Sequence, residues 1–452
     1  AQERSPLSLQ FDNEPLVKDA NYSYLGVAAS ALRGRPAFFV QQRVAAARAK
    51  LPLLSGSIGA RFNGIRPSLS LSLWNALIRP GLEWGCVLLS PPKSMVAQLN
   101  AVLPAALRIF MGADSFTSND ALLAEFGTQS FSSRQQELCL RFFRKLCCAD
   151  PKRLLSKIFR SRCEQVKHGV APLSLCLLFQ SLLSRFGFDE VWNSLPQASD
   201  DPLWHNWNRR VHATATRFDL SVRRSSILAR SSLSLFSQVM PLVVPCYSSY
   251  LDRRGLGSWV KLKLRTSSLP LGDFLARHSK SALPVSATCC RLCDSPEVES
   301  ALHFVCDCPR LLPDRLSLLA THDSDRDLGV IFCASDAIAC WRSGPSLSRL
   351  LLILASVETV MSSSHKNRKR TVSVVSLPFH CSATLLARFE ALSLPFLARI
   401  WRRRAAILNG VPCLDMKGQS VVLSQLREDG RCRSFAVGSV LPSAADAAFS
   451  SS

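Results

Sequence analysis

The chain has 452 residues, of which 47% are hydrophobic and 19% are charged. This composition is typical of folded domains and excludes an intrinsically disordered chain, and the length suffices for roughly two to four domains. Lys and Arg number 55 against 33 Asp and Glu, which gives a formal net charge of +22. Such an excess favours nucleic acid as a partner, although the codon bias of a GC-rich gene also enriches arginine.

Cysteine usage and targeting signals bear on the compartment. The sequence has 17 irregularly spaced cysteines and no secretory signal, so we expect reduced, mostly buried thiols and one metal-binding cluster. The apolar run Leu350–Met361 is too short to cross a bilayer and carries Glu358, so no membrane partner is expected. The chain does not begin with methionine, from which we expect a fragment of a longer product.

The N-terminal third combines one strand signal with helical periodicity. Asn21–Val27 is rich in aromatic residues and contains a glycine, which predicts a short strand and turn. Apolar residues at helical spacing predict three helices, over residues 37–54, 68–78 and 94–110. The second helix should end before Pro80, and Pro104 should kink the third. Ser133–Gln136 is a predicted capping box that begins a further helix through Leu146.

The rest of the chain is divided by its charge and cysteine content. Several short helices are expected between residues 150 and 245, and residues 256–275 form a basic amphipathic segment. A cysteine-dense stretch follows at residues 289–308, and a helical tail is expected over residues 310–361. Beyond Thr371 the pattern weakens.

The strongest chemical signal is a cluster of cysteines with one histidine. Cys290 and Cys293 form a Cys-x2-Cys pair, His303 follows after nine intervening residues, and Cys308 follows after four more. A Cys-x2-Cys turn directs two thiolates to one ion, and a His and a Cys returned by a short helix or turn complete a tetrahedron. Three sulfurs and one imidazole suit Zn²⁺ and leave no open position, so we expect a small structural zinc knuckle.

Two neighbouring thiols compete for the ligand positions. Cys289 directly precedes the Cys-x2-Cys pair, and Cys306 lies three residues after His303. Cys308 is preferred because Pro309 follows it and is a natural stop for the loop. The alternative is a group of buried thiols that holds no metal.

The order of these residues resembles the zinc-binding segment that many non-LTR (LINE-type) retrotransposon reverse transcriptases carry after the polymerase. That segment reads Cys-x-Leu-Cys, an acidic stretch, His-Phe-hydrophobic, two residues and Cys-Pro. The matching residues here are Cys290–Glu299, His303–Val305 and Cys308–Arg310. The preceding Leu262–Thr266 and Leu269–Leu271 are similar to the lead-in of the same segment.

The N-terminal region resembles the same family independently. Tyr24–Val27 is similar to the Tyr-Leu-Gly turn near the end of the reverse transcriptase palm, and Leu73–Gly85 to a thumb-region segment. Leu122–Gly127 and Arg141–Phe143 resemble the connector between the thumb and the zinc-binding segment. The resemblance covers roughly residues 10–320.

No polymerase catalytic centre is predicted in this chain. The resemblance implies an aromatic-x-Asp-Asp upstream of Tyr24, where paired carboxylates hold two Mg²⁺ ions, and nothing of that form precedes Tyr24. Asp200 and Asp201 are adjacent but lack the aromatic and stand before Pro202, so a polar turn is the favoured interpretation. We expect no catalytic residues here and Mg²⁺ only in the missing catalytic half.

Basic residues supply the candidates for nucleic-acid contact. The first group lies near the knuckle, which should order it: Lys261, Lys263, Arg265 and Arg291. The second group is Arg209, Arg210, Arg223 and Arg224. Trp204, Trp207 and Phe218 lie among the second group, so bases could stack on rings while arginines bind phosphates. A solvated helix face above an aromatic core is the alternative for that group.

These features predict a mostly α-helical, multi-domain protein with few short N-terminal strands and a small CCHC zinc knuckle. The expected segments are an end of palm and thumb-like region (1–90), a helical connector (91–255), a basic lead-in with the zinc-binding knuckle (256–312), a helical tail (313–365) and a basic, poorly ordered or unassigned tail (366–452).

The resemblance implies the C-terminal part of a retroelement RNA-directed DNA polymerase. Such a fragment would bind element RNA or target DNA beside the upstream palm and fingers of its parent polyprotein, in the nucleus and cytoplasm. Lys366–Arg370 and Arg402–Arg404 could serve nuclear import or be plain solvated runs. The alternatives are a zinc-stapled protein-interaction module and a decayed retroelement remnant without activity.

Overall fold

The structure is a computed structural model of the chain. It describes residues 10–11, 14–15, 21–24, 27–30, 36–88, 93–170, 175–195, 201–240, 246–253, 255–279, 288–293, 295–323, 350, 353–354, 358–360, 372–373 and 383–409. Within these residues the chain is mostly α-helical, which confirms the predicted fold class at that level.

The α-helices that the structure describes are, in chain order, α1 Pro36–Ser55, α2 Pro67–Leu77, α3 Arg79–Glu83, α4 Lys93–Met111, α5 Asn119–Glu125, α6 Phe131–Cys147, α7 Leu154–Lys167, α8 Leu175–Arg185, α9 Asp189–Ser194, α10 Trp207–Leu228, α11 Ser234–Val239, α12 Leu256–Arg265, α13 Gly272–His278, α14 Leu312–Asp323 and α15 Ala383–Asn409. Short 3₁₀ helices lie at Cys86–Leu88, Pro202–Trp204, Ser231–Leu233, Ser249–Arg253 and Pro309–Leu311, and a π-helical turn lies at His303–Asp307.

The three helices predicted in the N-terminal third are confirmed as α1, α2 and α4. Pro80 stands in the first turn of α3, directly after α2. A proline there loses no helical hydrogen bond, because the first amides of a helix have no partner within it. Pro104 lies inside α4, which continues through it to Met111.

The beginning of α6 differs from the predicted capping box. The N-cap is Ser130, whose side-chain oxygen accepts the Ser133 backbone N–H at 3.2 Å. Ser133 is therefore inside the first turn, and its hydroxyl donates to the carbonyl oxygen of Ala215 at 3.0 Å. The prediction of Ser133 as the cap is wrong by one turn, because Ser130 supplies the capping oxygen and the buried Phe131 is the first residue of the helix.

Short strands are present at the N-terminus, as predicted. β1 (Gln10–Phe11) pairs antiparallel with β2 (Glu14–Pro15), and β3 (Asn21–Tyr24) pairs antiparallel with β4 (Val27–Ser30). In the second hairpin Tyr24 is opposite Val27 and Asn21 is opposite Ser30. The strand part of the prediction for Asn21–Val27 is confirmed over Asn21–Tyr24, and the predicted turn at residues 25 and 26 lies outside the described residues.

A further sheet was not predicted. β5 (Cys246–Ser248), β6 (Glu358–Val360) and β7 (Val372–Ser373) form an antiparallel sheet in that order. The predicted helical tail at residues 310–361 is therefore correct for α14 and wrong for β6. Glu358–Val360 pairs with a strand more than 100 residues earlier in the chain, and local periodicity contains no information about such a partner.

The described parts of the chain fold into two compact units. The first unit comprises residues 1–58, 71–106 and 129–219, and the second comprises residues 59–70, 107–128 and 220–452. The five segments expected from the sequence stay a prediction.

The core of the first unit is built on aromatic side chains of α6 to α10. Phe143 is fully buried, with its ring centroid 5.2 Å from that of Phe179. Trp204 and Trp207 lie edge to face at 5.0 Å, and the Trp207 indole N–H donates to the carbonyl oxygen of Leu140 at 3.1 Å. That hydrogen bond lets a polar group lie in an apolar core.

The core of the second unit surrounds α12, all of whose residues are buried. Trp259 on α12 lies 5.8 Å from Trp401 on α15, and Phe304 lies 6.1 Å from the same ring. The cysteine-dense segment and α15 therefore share one core. Sequence reasoning missed α15, which lies within the segment predicted to be poorly ordered or unassigned.

One described helical segment, Ser94–Met111, is long and apolar enough to cross a bilayer by length and composition alone. The core helix of a globular protein meets the same criterion, and Val102, Ala106 and Leu107 of this helix are fully buried. The expectation of no membrane partner stays a prediction.

Candidate metal centre and the predicted basic residues

The first two predicted ligands lie on a narrow backbone turn. The Cys290 N–H donates to the carbonyl oxygen of Glu297 at 3.0 Å, and the Glu299 N–H donates to that of Thr288 at 2.9 Å. These bonds pair the two sides of the segment in antiparallel fashion, with Cys290–Cys293 at the beginning of the connection. The pairing fixes the direction in which both thiols leave the backbone.

The other two ligands are brought together by the π-helical turn. His303 and Cys308 are five positions apart, and an ordinary α-helix would place them about 140° apart around its axis. Here the Cys308 N–H donates to the carbonyl oxygen of His303 at 2.7 Å, an i to i+5 bond. The wider turn puts imidazole and thiol on one side, in line with the frequent occurrence of π turns at functional sites.

The four predicted residues form one compact group. The ligand atoms of Cys290, Cys293, His303 and Cys308 all lie within 4.8 Å of one another. The two sulfurs of Cys290 and Cys308 are 3.9 Å apart, and Cys293 Sγ lies 3.3 Å from His303 Nε2. A regular tetrahedron with Zn–S of about 2.3 Å and Zn–N of about 2.0 Å sets these separations at about 3.8 and 3.5 Å. The group could therefore hold a metal ion, and its dimensions are compatible with zinc.

Glu297 completes the surroundings of the histidine, and sequence reasoning missed it. His303 Nδ1 lies 2.8 Å from Glu297 Oε2. A proton on Nδ1 that is donated to this carboxylate leaves the lone pair on Nε2, the atom that faces Cys293. Carboxylate–histidine pairs of this kind orient the imidazole and raise its basicity as a ligand.

Burial makes bare thiolates unfavourable at this position. Desolvation raises the pKa of the Cys290 thiol to about 12 and also raises that of Cys308. A bound cation acts in the opposite direction and keeps coordinating thiols deprotonated. The interior position therefore fits thiolates that are neutralised by a metal.

The geometry groups Cys308, and neither Cys289 nor Cys306, with the other three candidate ligands. Cys306 is buried in the apolar core with Phe304 and Val305 and is not part of the ligand group. Cys289 Sγ lies 3.2 Å from the carbonyl oxygen of Pro296 instead. Every cysteine that the structure describes is a free thiol.

Comparison of the chain with models of known protein families, with characterised proteins and with solved structures found no match.

The basic residues of α12 are interior, and the prediction that they contact phosphates is corrected. Lys261 and Arg265 are 0% exposed and Lys263 is 2% exposed. Positions two apart on a helix lie about 200° apart around its axis, so Lys261 and Lys263 cannot share one surface stripe. A buried charge requires a partner, and each of the three has a carboxylate.

These three pairs reach distant parts of the second unit. Arg265 Nε lies 2.5 Å from Glu125 Oε1, and Lys261 Nζ lies 3.6 Å from Glu390 Oε2. Lys263 is paired with Asp114. These cations neutralise internal carboxylates, so they cannot bind an external anion in this conformation.

The other arginines that were predicted to contact nucleic acid differ in their exposure to solvent. The exposed residues are Arg209, Arg224 and Arg291. Arg210 is half-buried, with its guanidinium 5.2 Å from the centroid of the Phe188 ring. Arg223 is 3% exposed and donates to the carbonyl oxygen of Thr128 at 2.8 Å. The prediction is corrected for Arg223, whose burial withdraws it from solvent.

The aromatic residues near these arginines are also mostly interior. Trp204 and Trp207 are core residues with 2% and 0% exposure, so the interpretation of their rings as a base-stacking surface is wrong. Phe218 is 37% exposed and has the Arg185 guanidinium 5.8 Å from its centroid. For Trp204 and Trp207 the alternative interpretation, an aromatic core beneath a solvated face, is the correct one.

Two further sequence features have clear positions. The Asp201 carboxylate accepts the Leu203 N–H at 2.8 Å and caps a short helix, which confirms the polar turn. Arg404 is buried and its guanidinium makes two hydrogen bonds to the Glu299 carboxylate, at 2.7 and 2.8 Å. Arg404 is therefore not part of a solvated basic run. Lys366–Arg370 lies outside the described residues.

Proposed function

We propose that this chain is a zinc-stabilised, nucleic-acid-binding part of a retroelement reverse transcriptase. The observation that carries the proposal is the convergence of Cys290, Cys293, His303 and Cys308 within 4.8 Å, in the residue order of the family's zinc-binding segment. Charge supports the second half of the proposal, because the chain has a formal net charge of +22 and therefore attracts phosphate backbones.

Zinc is the metal that the donor set favours. Soft thiolates with an imidazole in a tetrahedral arrangement suit Zn²⁺ rather than the oxygen-seeking Mg²⁺ or Ca²⁺. Four protein ligands leave no position for water or substrate, so the ion would have a structural role. We therefore assign no catalytic step to it.

The metal would hold the cysteine-dense segment against the rest of its core. Arg315 donates to the carbonyl oxygen of Cys308 at 2.6 Å, and Glu299, next to the ligand turn, binds Arg404 of α15. Because these contacts begin at the ligand residues, ordering the ligands also orders their partners. Metal binding would thus be coupled to folding.

The resemblance supplies the wider setting. It implies a multi-domain polymerase in which palm and fingers hold the catalytic Mg²⁺ ions and this C-terminal part binds element RNA or target DNA. Work on both nucleic acids would place the protein in nucleus and cytoplasm. Of the residues predicted for binding, the exposed Arg209, Arg224 and Arg291 are retained in this proposal.

Two measurements on the purified full chain test the two parts of the proposal, zinc binding and nucleic-acid binding. Metal analysis should give one zinc per chain, and filter binding to a labelled RNA should weaken steeply as salt rises, because bound phosphates release counterions. Zinc-free protein that is folded would contradict the metal assignment. Affinity that stays flat with salt would contradict the phosphate model.

A protein-interaction module is the second candidate, favoured by one surface feature. Leu154, Leu155 and Ile158 on α7 are 72%, 59% and 50% exposed, and clustered exposed aliphatic residues often mark protein contacts. Substituting all three with Ser should leave RNA affinity unchanged under the leading proposal. The same triple variant should abolish partner capture if α7 is a docking site.

A further inference from the structure

A depression on the first unit has basic walls. Two surface pockets, of about 710 Å³ and about 580 Å³, both have Arg144 and Asn208 in their walls, so they are neighbours. We call the pair the α6–α10 groove. Among the described residues its basic lining is Arg141, Arg144, Lys145 and Arg209, and its acidic lining is Asp201.

One side of the groove is a face of α6. The lining residues on this helix are Leu138, Arg141, Phe142, Arg144 and Lys145, and Cys148 lies directly after its end. Leu138, Arg141, Phe142 and Lys145 are related by steps of three or four residues, which places them along one stripe that is about 10 Å long. The stripe alternates cations with apolar side chains, and Val87 adds to the apolar floor.

The other side is the first turn of α10, a helix of 22 residues. Asn206 has a positive φ of 50°, and its carbonyl oxygen accepts the N–H groups of Arg209 and Arg210, each at 2.9 Å. The helix therefore begins at the groove, with Trp207, Asn208 and Arg209 in the wall. The positive end of the helix dipole adds to the attraction for an anion.

Buried groups hold the arginines of the groove in place. Arg141 is paired with Glu137, which is fully buried and is shared with Arg134 at 2.7 Å. Glu137 is also paired with His212, and Arg134 with Glu83, so Arg141 is the groove arginine whose charge is met by a buried carboxylate. Arg144 lies 5.9 Å from the centroid of Trp204, and the buried indole nitrogen of Trp204, which lines the same pocket, has no hydrogen-bond partner in the described part of the chain.

We propose that the α6–α10 groove binds a single strand of nucleic acid. Phosphates would contact Arg144, Lys145 and Arg209, and unpaired bases would rest on the apolar floor around Phe142. The inference rests on the proposed nucleic-acid function and names the surface that performs it. An apolar floor favours a single strand over a duplex, because duplex bases are stacked internally and expose only backbone and edges.

The test compares two triple variants of the full, zinc-loaded chain, each of which replaces three positively charged side chains with neutral glutamine. The groove variant is Arg144→Gln/Lys145→Gln/Arg209→Gln. The matched control is Lys152→Gln/Arg153→Gln/Lys157→Gln, which removes three exposed cations at and before α7. Binding is measured by fluorescence anisotropy with a labelled, unstructured 20-nucleotide RNA, its DNA counterpart and a duplex of the same length.

The groove variant should raise the Kd for single strands at least tenfold and lower the slope of log K against log salt by about two, the value for three lost phosphate contacts. The control variant should change the Kd less than threefold. Wild-type protein should bind the single strand more tightly than the duplex.

Other outcomes overturn the inference in distinguishable ways. Equal weakening by both variants would overturn the groove while nucleic-acid binding stands. Equal affinity for poly-glutamate of matching charge would show an acidic-protein site instead. Wild-type protein that binds no nucleic acid would overturn this inference and the proposed function together.

A second pair of measurements keeps the test valid if the triple variant misfolds. Lys145→Gln/Arg209→Gln changes only exposed side chains and should raise the single-strand Kd at least threefold. Ultraviolet cross-linking of a 4-thiouridine RNA should attach it to peptides that contain residues 138–148 or 201–209. Cross-links confined to other peptides would contradict the groove.

Discussion

The basic residues of α12 and those of the α6–α10 groove have opposite environments. In the second unit, Lys261 and Arg265 on α12 are buried and paired with carboxylates, close in sequence to the Cys/His group that could hold a metal ion. In the first unit, Lys145 and Arg209 of the α6–α10 groove are exposed. Burial of a charge costs free energy that only a partner offsets. The α12 cations are therefore committed to internal carboxylates, whereas the groove cations can offer charge to a ligand.

Of the changes considered, loss of a metal ligand should lower the stability of the protein the most. Cys308→Ser should abolish zinc binding and lower the unfolding free energy by more than about 4 kcal/mol, because a structural metal organises its surroundings. Metal analysis and urea unfolding followed by tryptophan fluorescence measure both effects. Hydrogen exchange should quicken in residues 288–311 and stay slow in α6.

Cys289→Ser is the matched control for that variant, since Cys289 is adjacent to a ligand but outside the ligand group. It should retain one zinc per chain. Equal zinc loss in both variants would contradict the assignment of Cys308.

Breaking a buried ion pair should have the next largest effect. Glu125→Gln leaves Arg265 buried without its counter-charge and should lower the unfolding free energy by about 3–5 kcal/mol. Asp120→Asn on the same helix is the control, because it breaks a partly exposed pair with Arg230 and should cost about 1 kcal/mol or less. Similar losses in the two variants, measured by urea unfolding, would refute the contrast between buried and exposed charges.

Removal of the carboxylate behind the ligand histidine should have a smaller effect, confined to metal affinity. Glu297→Gln should weaken zinc binding about 10–100-fold, because the imidazole loses its orienting partner. Competition with a chromophoric chelator measures the change. Asp307→Asn is the control, because it also removes one negative charge near the site, from the π-helical turn. It should leave zinc affinity within about threefold of wild type. A loss of affinity as large as that of Glu297→Gln would show that nearby negative charge, and not orientation of the imidazole, is what matters.

The lowered pKa of the buried Lys261 should be visible in the pH dependence of the unfolding free energy. Burial lowers the pKa of Lys261 to about 8, against the opposing effect of Glu390. Between pH 8 and about 10.5 the unfolded chain holds a proton that folded Lys261 has lost, so stability rises with pH by up to about 1.4 kcal/mol per unit. Lys261→Met should remove this rise in urea unfolding, whereas Lys152→Met should keep it. A rise unchanged in Lys261→Met would show that Lys261 has an ordinary pKa.

The candidate ligand group was largely predictable from sequence, because its members lie close together along the chain and local turns bring them together. A Cys-x2-Cys turn needs no distant residue, and His303 and Cys308 are joined by one turn of backbone. Glu297 was not predicted, because an acidic residue in a short connection has no periodic signal. Its position six residues before His303 was the one feature of the sequence that could have indicated a contact with the histidine.

The position of the α12 cations was not predictable from local sequence, because their partners are distant. Glu125 lies 140 residues from Arg265, and only the tertiary fold brings the two together. Helical geometry could still have excluded a single basic stripe, since Lys261 and Lys263 lie on different sides of the helix. The same limitation concealed α15, whose Arg404 pairs with Glu299 at a separation of 105 residues.

X-ray absorption at the zinc edge of the purified chain tests the central claim most directly. The account predicts one zinc per chain with three sulfur neighbours at about 2.3 Å and one nitrogen at about 2.0 Å. A folded chain without zinc, or a zinc bound only by oxygen and nitrogen, would contradict it.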